Sequence, residues 1–111
     1  MSLDHATASL HQATGGSILV DVGGAIDLAT VDVLTDILDR AADKQPTAIV
    51  VDLKHVTFFD STAINALMTA YRRARSESIV FTVVNCPAIV VRVMRVLGIH
   101  DLLTGGDENR G

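Results

Sequence analysis

Aromatic residues and cysteine are scarce in this sequence of 111 residues. Phe, Tyr and Trp together make up 4% of the chain, and Trp is absent. The core must therefore be aliphatic, built from Val, Ile, Leu and Ala. The single cysteine, Cys86, cannot close an intramolecular disulfide, so the fold does not depend on an oxidising compartment. We expect Cys86 to serve as a small buried apolar residue.

Long apolar runs and an excess of positive charge are also missing. No run approaches the roughly 18 to 20 apolar residues of a membrane span, and the start "MSLDHATASL" does not resemble a signal peptide. These features predict a cytoplasmic protein without a membrane partner. Nine basic against thirteen acidic residues give a net charge of -4 and a pI near 5.3, which argues against nucleic acid as a partner.

The length and composition predict one folded domain. A hydrophobic fraction of 49% with 20% charged residues is typical of globular proteins, and 111 residues suffice for a single core. We expect one domain over residues 1–111, with its core at about 6–103 and a flexible tail at 104–111. The protein is expected to be a monomer or a weak homodimer.

Strand-like and helix-like segments alternate along most of the chain. Two β-rich segments joined by a Gly-Gly turn predict an opening hairpin. Amphipathic spacing predicts a first helix that starts at Leu28 and buries Leu28, Val31 and Leu34 on one face. The predicted strands are 6–12, 17–24, 46–53, 78–85 and a short last one near Leu102 and Leu103, and the predicted helices are 28–43, about 61–76, and 87–98. The apolar strand 46–53 is expected to be covered on both faces.

This order, β-β-α-β-α-β-α-β, predicts an α/β fold. Its sheet should be mixed but mostly parallel, with four to five strands and about three main helices. Sites in such folds lie at the carboxyl ends of the strands. Two loops fall there, "GGAID" at residues 23–27 and "FFDSTA" at residues 58–63.

The second of these loops permits two interpretations. Asp60 or Ser61 is suited to cap the following helix, a contribution of about 0.5 to 2 kcal/mol relative to Ala. Alternatively, an exposed Ser61 hydroxyl could accept a phosphoryl group, whose charge the helix N-terminus would stabilise. A partner packed on the neutral hydroxyl would then be released, and Asp60, together with Asp27 if the two loops adjoin, would add like-charge repulsion with the phosphate.

Other chemistries find little support in the sequence. Ser61 lacks the flanking glycines of a hydrolase elbow, and no Gly-rich loop ends in Lys-Ser or Lys-Thr. The four histidines, His5, His11, His55 and His100, have no metal-ligand spacing. We therefore expect no enzyme activity, metal or cofactor. Three arginines cluster at Arg72, Arg73 and Arg75, either as the solvated face of a helix or as part of a partner surface.

The stretch "VTFFDSTAINAL" resembles the motif of STAS domains of the bacterial anti-sigma factor antagonists, in which a strand leads into Asp-Ser-Ser/Thr-Gly and a helix. "VGGAIDLATVDVL", "AIVVDLKHV" and "VVNCPAIVVRVMRVLGIHDLL" are similar, in the same order, to the family's first turn and helix, central strand and last strand and helix. The resemblance spans about residues 6 to 103.

This resemblance implies partner switching in transcription regulation and stress response. In the family, the unmodified antagonist binds an anti-sigma factor that is also an ATP-dependent Ser/Thr kinase, and phosphorylation releases it until a phosphatase resets the cycle. It implies Ser61 as the phosphorylated residue and a partner-binding surface that contains Asp27, Asp60, Ser61, Thr62 and Ala63.

Two departures from the family pattern leave alternatives open. Ala63 replaces the family's Gly, which adds a methyl group beside Ser61, and Ala25 replaces its Glu. One alternative is therefore a STAS scaffold that binds proteins without being phosphorylated. Another is a response-regulator receiver, although both lysines, Lys44 and Lys54, lie too early in the chain for the Lys that follows a receiver's last strand.

Overall fold

The computed structural model describes residues 5–105 of the protein. These residues form four strands and four α-helices, with one 3-10 turn at Thr14–Gly16 between the first two strands. The strands are β1 (Thr7–Gln12), β2 (Ser17–Ile26), β3 (Ala48–Phe59) and β4 (Val80–Val84). The helices are α1 (Val31–Asp43), α2 (Ser61–Ser76), α3 (Ala88–Val96) and α4 (His100–Thr104).

The four strands form one mixed sheet in the order β1-β2-β3-β4. β1 and β2 pair antiparallel as the expected hairpin, whereas β2–β3 and β3–β4 are parallel. The prediction of a mixed, mostly parallel sheet with four strands is confirmed. β3 is the longest strand and extends beyond β4, because β4 pairs only with the segment Ala48–Asp52.

The core lies against one face of the sheet. Side chains on that face of β2, β3 and β4 are buried, among them Val20, Val51 and Val83. The residues between them, such as Leu19, Val50 and Thr82, are only partly buried. The expectation that the strand 46–53 is covered on both faces is therefore wrong, since an apolar run reports hydrophobicity and does not identify the faces that neighbours cover.

The first helix starts later than its apolar spacing predicts. α1 begins at Val31, and Leu28 lies before it in a turn where its side chain is 77% exposed. The prediction that Leu28 belongs to the buried face of the helix is wrong. Leu34, Leu38 and Ala41 do form that face.

The predicted last strand near Leu102 and Leu103 is also wrong. These residues belong to α4, and Leu103 is fully buried while Leu102 is 44% exposed. Glycines with positive φ, Gly98 at 75° and Gly105 at 70°, lie on either side of this helix. Two adjacent apolar residues carry no periodicity, so the sequence alone could not separate a short helix from a short strand. Of the predicted tail 104–111, Thr104 ends α4, and residues 106–111 lie outside the described part.

Gly24 has a clear structural requirement. Its φ is +81°, and a Cβ atom at this position would collide with the backbone carbonyl of His5. The chain entering β1 therefore runs closely past the end of β2. A side chain here would displace the hairpin that borders the first of the two predicted loops.

Candidate functional site

The parallel pairing of β2 and β3 brings the two predicted loops together. Ile26 is the register partner of Phe59, and each is the last residue of its strand. The Asp60 N–H donates to the Ile26 carbonyl over 3.3 Å, which extends the pairing by one step. The turn Asp27–Thr30 and residues Asp60–Thr62 are therefore neighbours at one end of the sheet. We refer to these two segments together as the Ser61 edge.

A closed set of hydrogen bonds shapes the turn Asp27–Thr30. One carboxylate oxygen of Asp27, Oδ1, accepts from the N–H groups of Ala29 (2.9 Å) and Thr30 (3.2 Å). The Thr30 hydroxyl accepts from the Asp27 N–H and donates to the Ala25 carbonyl, both at 2.9 Å. Side chains of Asp and Thr stabilise turns in this way. Asp27 is thus half-buried and engaged within its own turn.

Asp60 caps α2 and leaves the Ser61 side chain unengaged. The Asp60 Oδ1 accepts from the Ala63 N–H over 3.1 Å, which is the capping role that the sequence left open between Asp60 and Ser61. Ser61 is the first residue of α2 and is exposed. Within residues 5–105 its hydroxyl makes no hydrogen bond. It is therefore free to meet a partner molecule.

Thr62 and Ala63 differ in their access to solvent. Thr62 is half-buried, whereas the Ala63 side chain has 0% exposure and packs in the core. The methyl group that distinguishes Ala63 from the family's Gly consequently points inward. It does not crowd the Ser61 hydroxyl, and its side chain cannot contact a partner, so Ala63 leaves the predicted partner-binding set.

Two apolar side chains at this end of the sheet are exposed, although the sequence does not predict their exposure. Leu28 lies within the turn Asp27–Thr30, and Phe58, 44% exposed, is the register partner of Ala25. Leu28 was assigned to the helix because its spacing suited the apolar stripe. The Asp-x-x-Thr spacing, which is typical of a turn that precedes a helix, is the signal that could have excluded it.

The arginine cluster lies at the other end of α2, and one of its members, Arg73, links α2 to α1. Arg73 contacts Asp43 at 2.8 Å and Asp39 at 3.7 Å on α1, and Glu77 at 3.1 Å. Hydrogen bonds with Asp43 and Glu77 raise the pKa of the Arg73 guanidinium. Arg73 therefore ties α1 to α2, while Arg72 and Arg75 are exposed.

Cys86 is only partly buried. Burial raises the pKa of its thiol, and the nearby charge of Asp52 raises it further.

Within residues 5–105, no three His, Cys, Asp or Glu side chains are grouped so that they could hold a metal ion. A search of the same residues finds no helix that is long and apolar enough to cross a membrane.

Comparison with known proteins identifies the family. The model of the family described as "Mlab, STAS domain" matches residues 9–104. The chain therefore belongs to the STAS domain family, as the sequence motifs predicted, and the receiver hypothesis is wrong.

Several relatives of this chain are named anti-sigma factor antagonists. It is 29% identical to the anti-sigma-F factor antagonist RsfB of Mycobacterium tuberculosis in an alignment of 112 positions that covers 92% of this chain and 90% of RsfB. The crystal structure of an anti-sigma factor antagonist from Mycobacterium paratuberculosis has a TM-score of 0.81 at 26% identity, covering 93% of this chain and 86% of that one. The Bacillus protein SpoIIAA in its phosphorylated form shares the fold, with a TM-score of 0.68 at 15% identity over 88% of each chain.

Proposed function

We propose that this protein is an anti-sigma factor antagonist that works by partner switching. Unphosphorylated, it binds an ATP-binding anti-sigma factor with Ser/Thr kinase activity through the Ser61 edge. The kinase phosphorylates Ser61, the complex dissociates, and a phosphatase restores the hydroxyl. The protein itself binds and is modified, and the kinase supplies the catalysis.

One observation carries this proposal: Ser61 is exposed and unbonded at the start of α2 in a member of the STAS family. A hydroxyl that capped its own helix would be less available to a kinase. Because Asp60 takes that role, phosphorylation of Ser61 removes no hydrogen bond within residues 5–105. RsfB, named an anti-sigma-F factor antagonist, supports an anti-sigma factor as the partner.

The physical effect of the phosphate differs between the free and the bound protein. In the free protein, a phosphate of about -1.5 to -2 charge lies in water at a helix N-terminus, which favours negative charge. In the complex it would be desolvated beside Asp27 and Asp60. A hundredfold loss of affinity needs only about 2.8 kcal/mol, which is less than the roughly 3 to 5 kcal/mol typical of one uncompensated buried charge.

The test uses each ATP-binding anti-sigma factor of the source organism, purified and mixed with this protein and ATP. Intact-mass measurement should show one added phosphate on the wild type and on Thr62→Ala, and none on Ser61→Ala. Thr62→Ala is the matched control, since it removes the adjacent hydroxyl. Phosphorylation of Ser61→Ala at the wild-type rate would overturn the proposal.

Binding measurements separate partner switching from a scaffold role. Without ATP, the wild type should bind one of these anti-sigma factors, and Ser61→Asp should bind it at least a hundredfold more weakly. If the wild type binds but never gains phosphate, the protein is a STAS scaffold that lacks a phosphorylation cycle.

A further inference from the structure

Two large apolar side chains are exposed in or next to the Ser61 edge. Leu28 is 77% exposed in the turn that precedes α1, and Phe58 is 44% exposed two residues before Asp60. Single exposed apolar residues are common in proteins. These two, however, lie at the same end of the sheet, because Ala25 pairs with Phe58 and Ile26 with Phe59.

The hydrogen bonds of the turn Asp27–Thr30 hold Leu28 at its tip. Asp27 and Thr30 bond to each other and to backbone groups of Ala25 and Ala29, all within the same turn. One oxygen of the Asp27 carboxylate, Oδ1, is therefore occupied by internal donors. Its role is to fix the turn, and the side chain that the turn offers to a partner is that of Leu28.

We propose that Leu28 and Phe58 are the apolar anchors by which the unphosphorylated protein binds its anti-sigma factor, and that Asp27 and Thr30 are positioning residues for Leu28. The inference rests on the proposed function for the identity of the partner. It assigns to that partner an apolar hollow that receives both anchors and holds Ser61 within reach of the partner's bound ATP. Buried apolar and aromatic anchors supply most of the affinity in many protein interfaces.

Charge at the Ser61 edge argues for a different protein, and not a second copy, as the occupant. Residues 25–31 and 57–65 contain two acids, Asp27 and Asp60, and no Lys or Arg. A symmetric dimer would place the same surface of each copy against the other. Four carboxylates would then meet in one interface with no basic residue from these segments between them. A different protein, which does not carry this pair of acids, avoids the repulsion.

The anchors also explain why phosphorylation would act as a release signal. An apolar hollow that encloses Leu28 and Phe58 holds the neighbouring Ser61 close against the partner, with little room for water. A phosphate on Ser61 would lose its hydration there, and none of the neighbouring residues in these two segments supplies a cation. The same contacts that favour the neutral hydroxyl thus disfavour the dianion.

The test compares variants of the full chain by calorimetric titration against the anti-sigma factor that binds the wild type. Leu28→Ala and Phe58→Ala should each weaken binding at least tenfold. Leu102→Ala is the matched control and should bind like the wild type. Its side chain is as exposed as that of Phe58, but it lies beside Arg75 and Val80, away from the Ser61 edge.

A double-mutant cycle tests the positioning role. Thr30→Val keeps the side-chain volume but removes the hydroxyl that bonds to Ala25. It should weaken binding in the wild-type background and cause little further loss when Leu28 is already Ala. If the double variant loses affinity by the product of the two single-variant factors, the positioning role is wrong, because Thr30 and Leu28 then act separately.

Three outcomes would overturn the anchors. If Leu28→Ala and Phe58→Ala bind within twofold of the wild type while Ser61→Asp loses binding, the anchors are wrong and the proposed function stands. If sedimentation shows a wild-type dimer that Leu28→Ala converts to monomer, the occupant is a second copy. If no anti-sigma factor of the organism binds the wild type, the proposed function and the anchors both fail.

Discussion

At the scale of single residues, the sequence could not decide whether Asp60 or Ser61 caps α2. The carboxylate of Asp60 accepts the Ala63 N–H, while the Ser61 hydroxyl stays exposed. A short segment that caps a helix can thus also expose a hydroxyl group to a kinase. The structure assigns the capping interpretation of "FFDSTA" to Asp60, and this leaves Ser61 available for the proposed phosphorylation.

Replacing Asp60 by Ala should lower the free energy of unfolding by about 0.5 to 2 kcal/mol, because the first turn of α2 loses its cap. Asp60→Asn should retain most of the stability, since its amide oxygen can accept the same N–H. Urea unfolding monitored by circular dichroism measures both. Ser61→Ala is the control and should leave the midpoint unchanged. A larger loss for Ser61→Ala than for Asp60→Ala would show that Ser61 is the capping residue.

At the scale of elements, the order of the first seven main elements was predicted correctly and the eighth was not. Long segments with clear periodicity, such as α2 and β3, could be assigned because many residues report the same pattern. α4 spans only five residues, too few for a period to be read. Its position is set by the packing of Leu103 in the core, which the sequence does not display.

This assignment predicts that neighbouring leucines of α4 differ sharply. Leu103→Ala should lower the free energy of unfolding by about 2 to 5 kcal/mol, because loss of the fully buried side chain would leave a cavity. Leu102→Ala should lower it by less than about 0.5 kcal/mol. Urea unfolding of the two variants is the measurement. Equal losses would contradict the structure of the C-terminal segment.

At the scale of the whole molecule, the Ser61 edge exists only because β2 and β3 are parallel neighbours. The turn at Asp27 and the start of α2 are separated by all of α1 and β3, yet they meet through the Ile26 carbonyl. The core, by contrast, lies on the face of the sheet that carries Val20 and Val51. Under the proposed function, binding at the edge and stability of the core are therefore separate properties.

We expect Ser61→Asp to change the free energy of unfolding by no more than about 0.5 kcal/mol, because the side chain is exposed and negative charge is favoured at a helix N-terminus. Urea unfolding of wild type and variant should give the same slope and nearly the same midpoint. The same variant loses binding under the proposed function. Loss of binding together with a large loss of stability would instead indicate that the substitution unfolds the protein.

The sequence by itself determined the family, the order of β1 to α3 and the residues Asp27, Asp60 and Ser61 as candidates. These follow from local patterns: periodicity, turn chemistry and a motif in contiguous residues. The sequence also favoured a buried Leu28, an accessible Ala63 and a strand β3 covered on both faces, and the structure reverses all three.

Only the tertiary structure decided which side chains face solvent around Ser61. Burial depends on neighbours that are distant in sequence, and an apolar residue carries the same signal whether a helix covers it or not. Leu28 and Ala63 show this directly, since the larger side chain is exposed and the smaller one is enclosed. Their positions follow from where the turn at Asp27 ends and from which face of α2 meets the core.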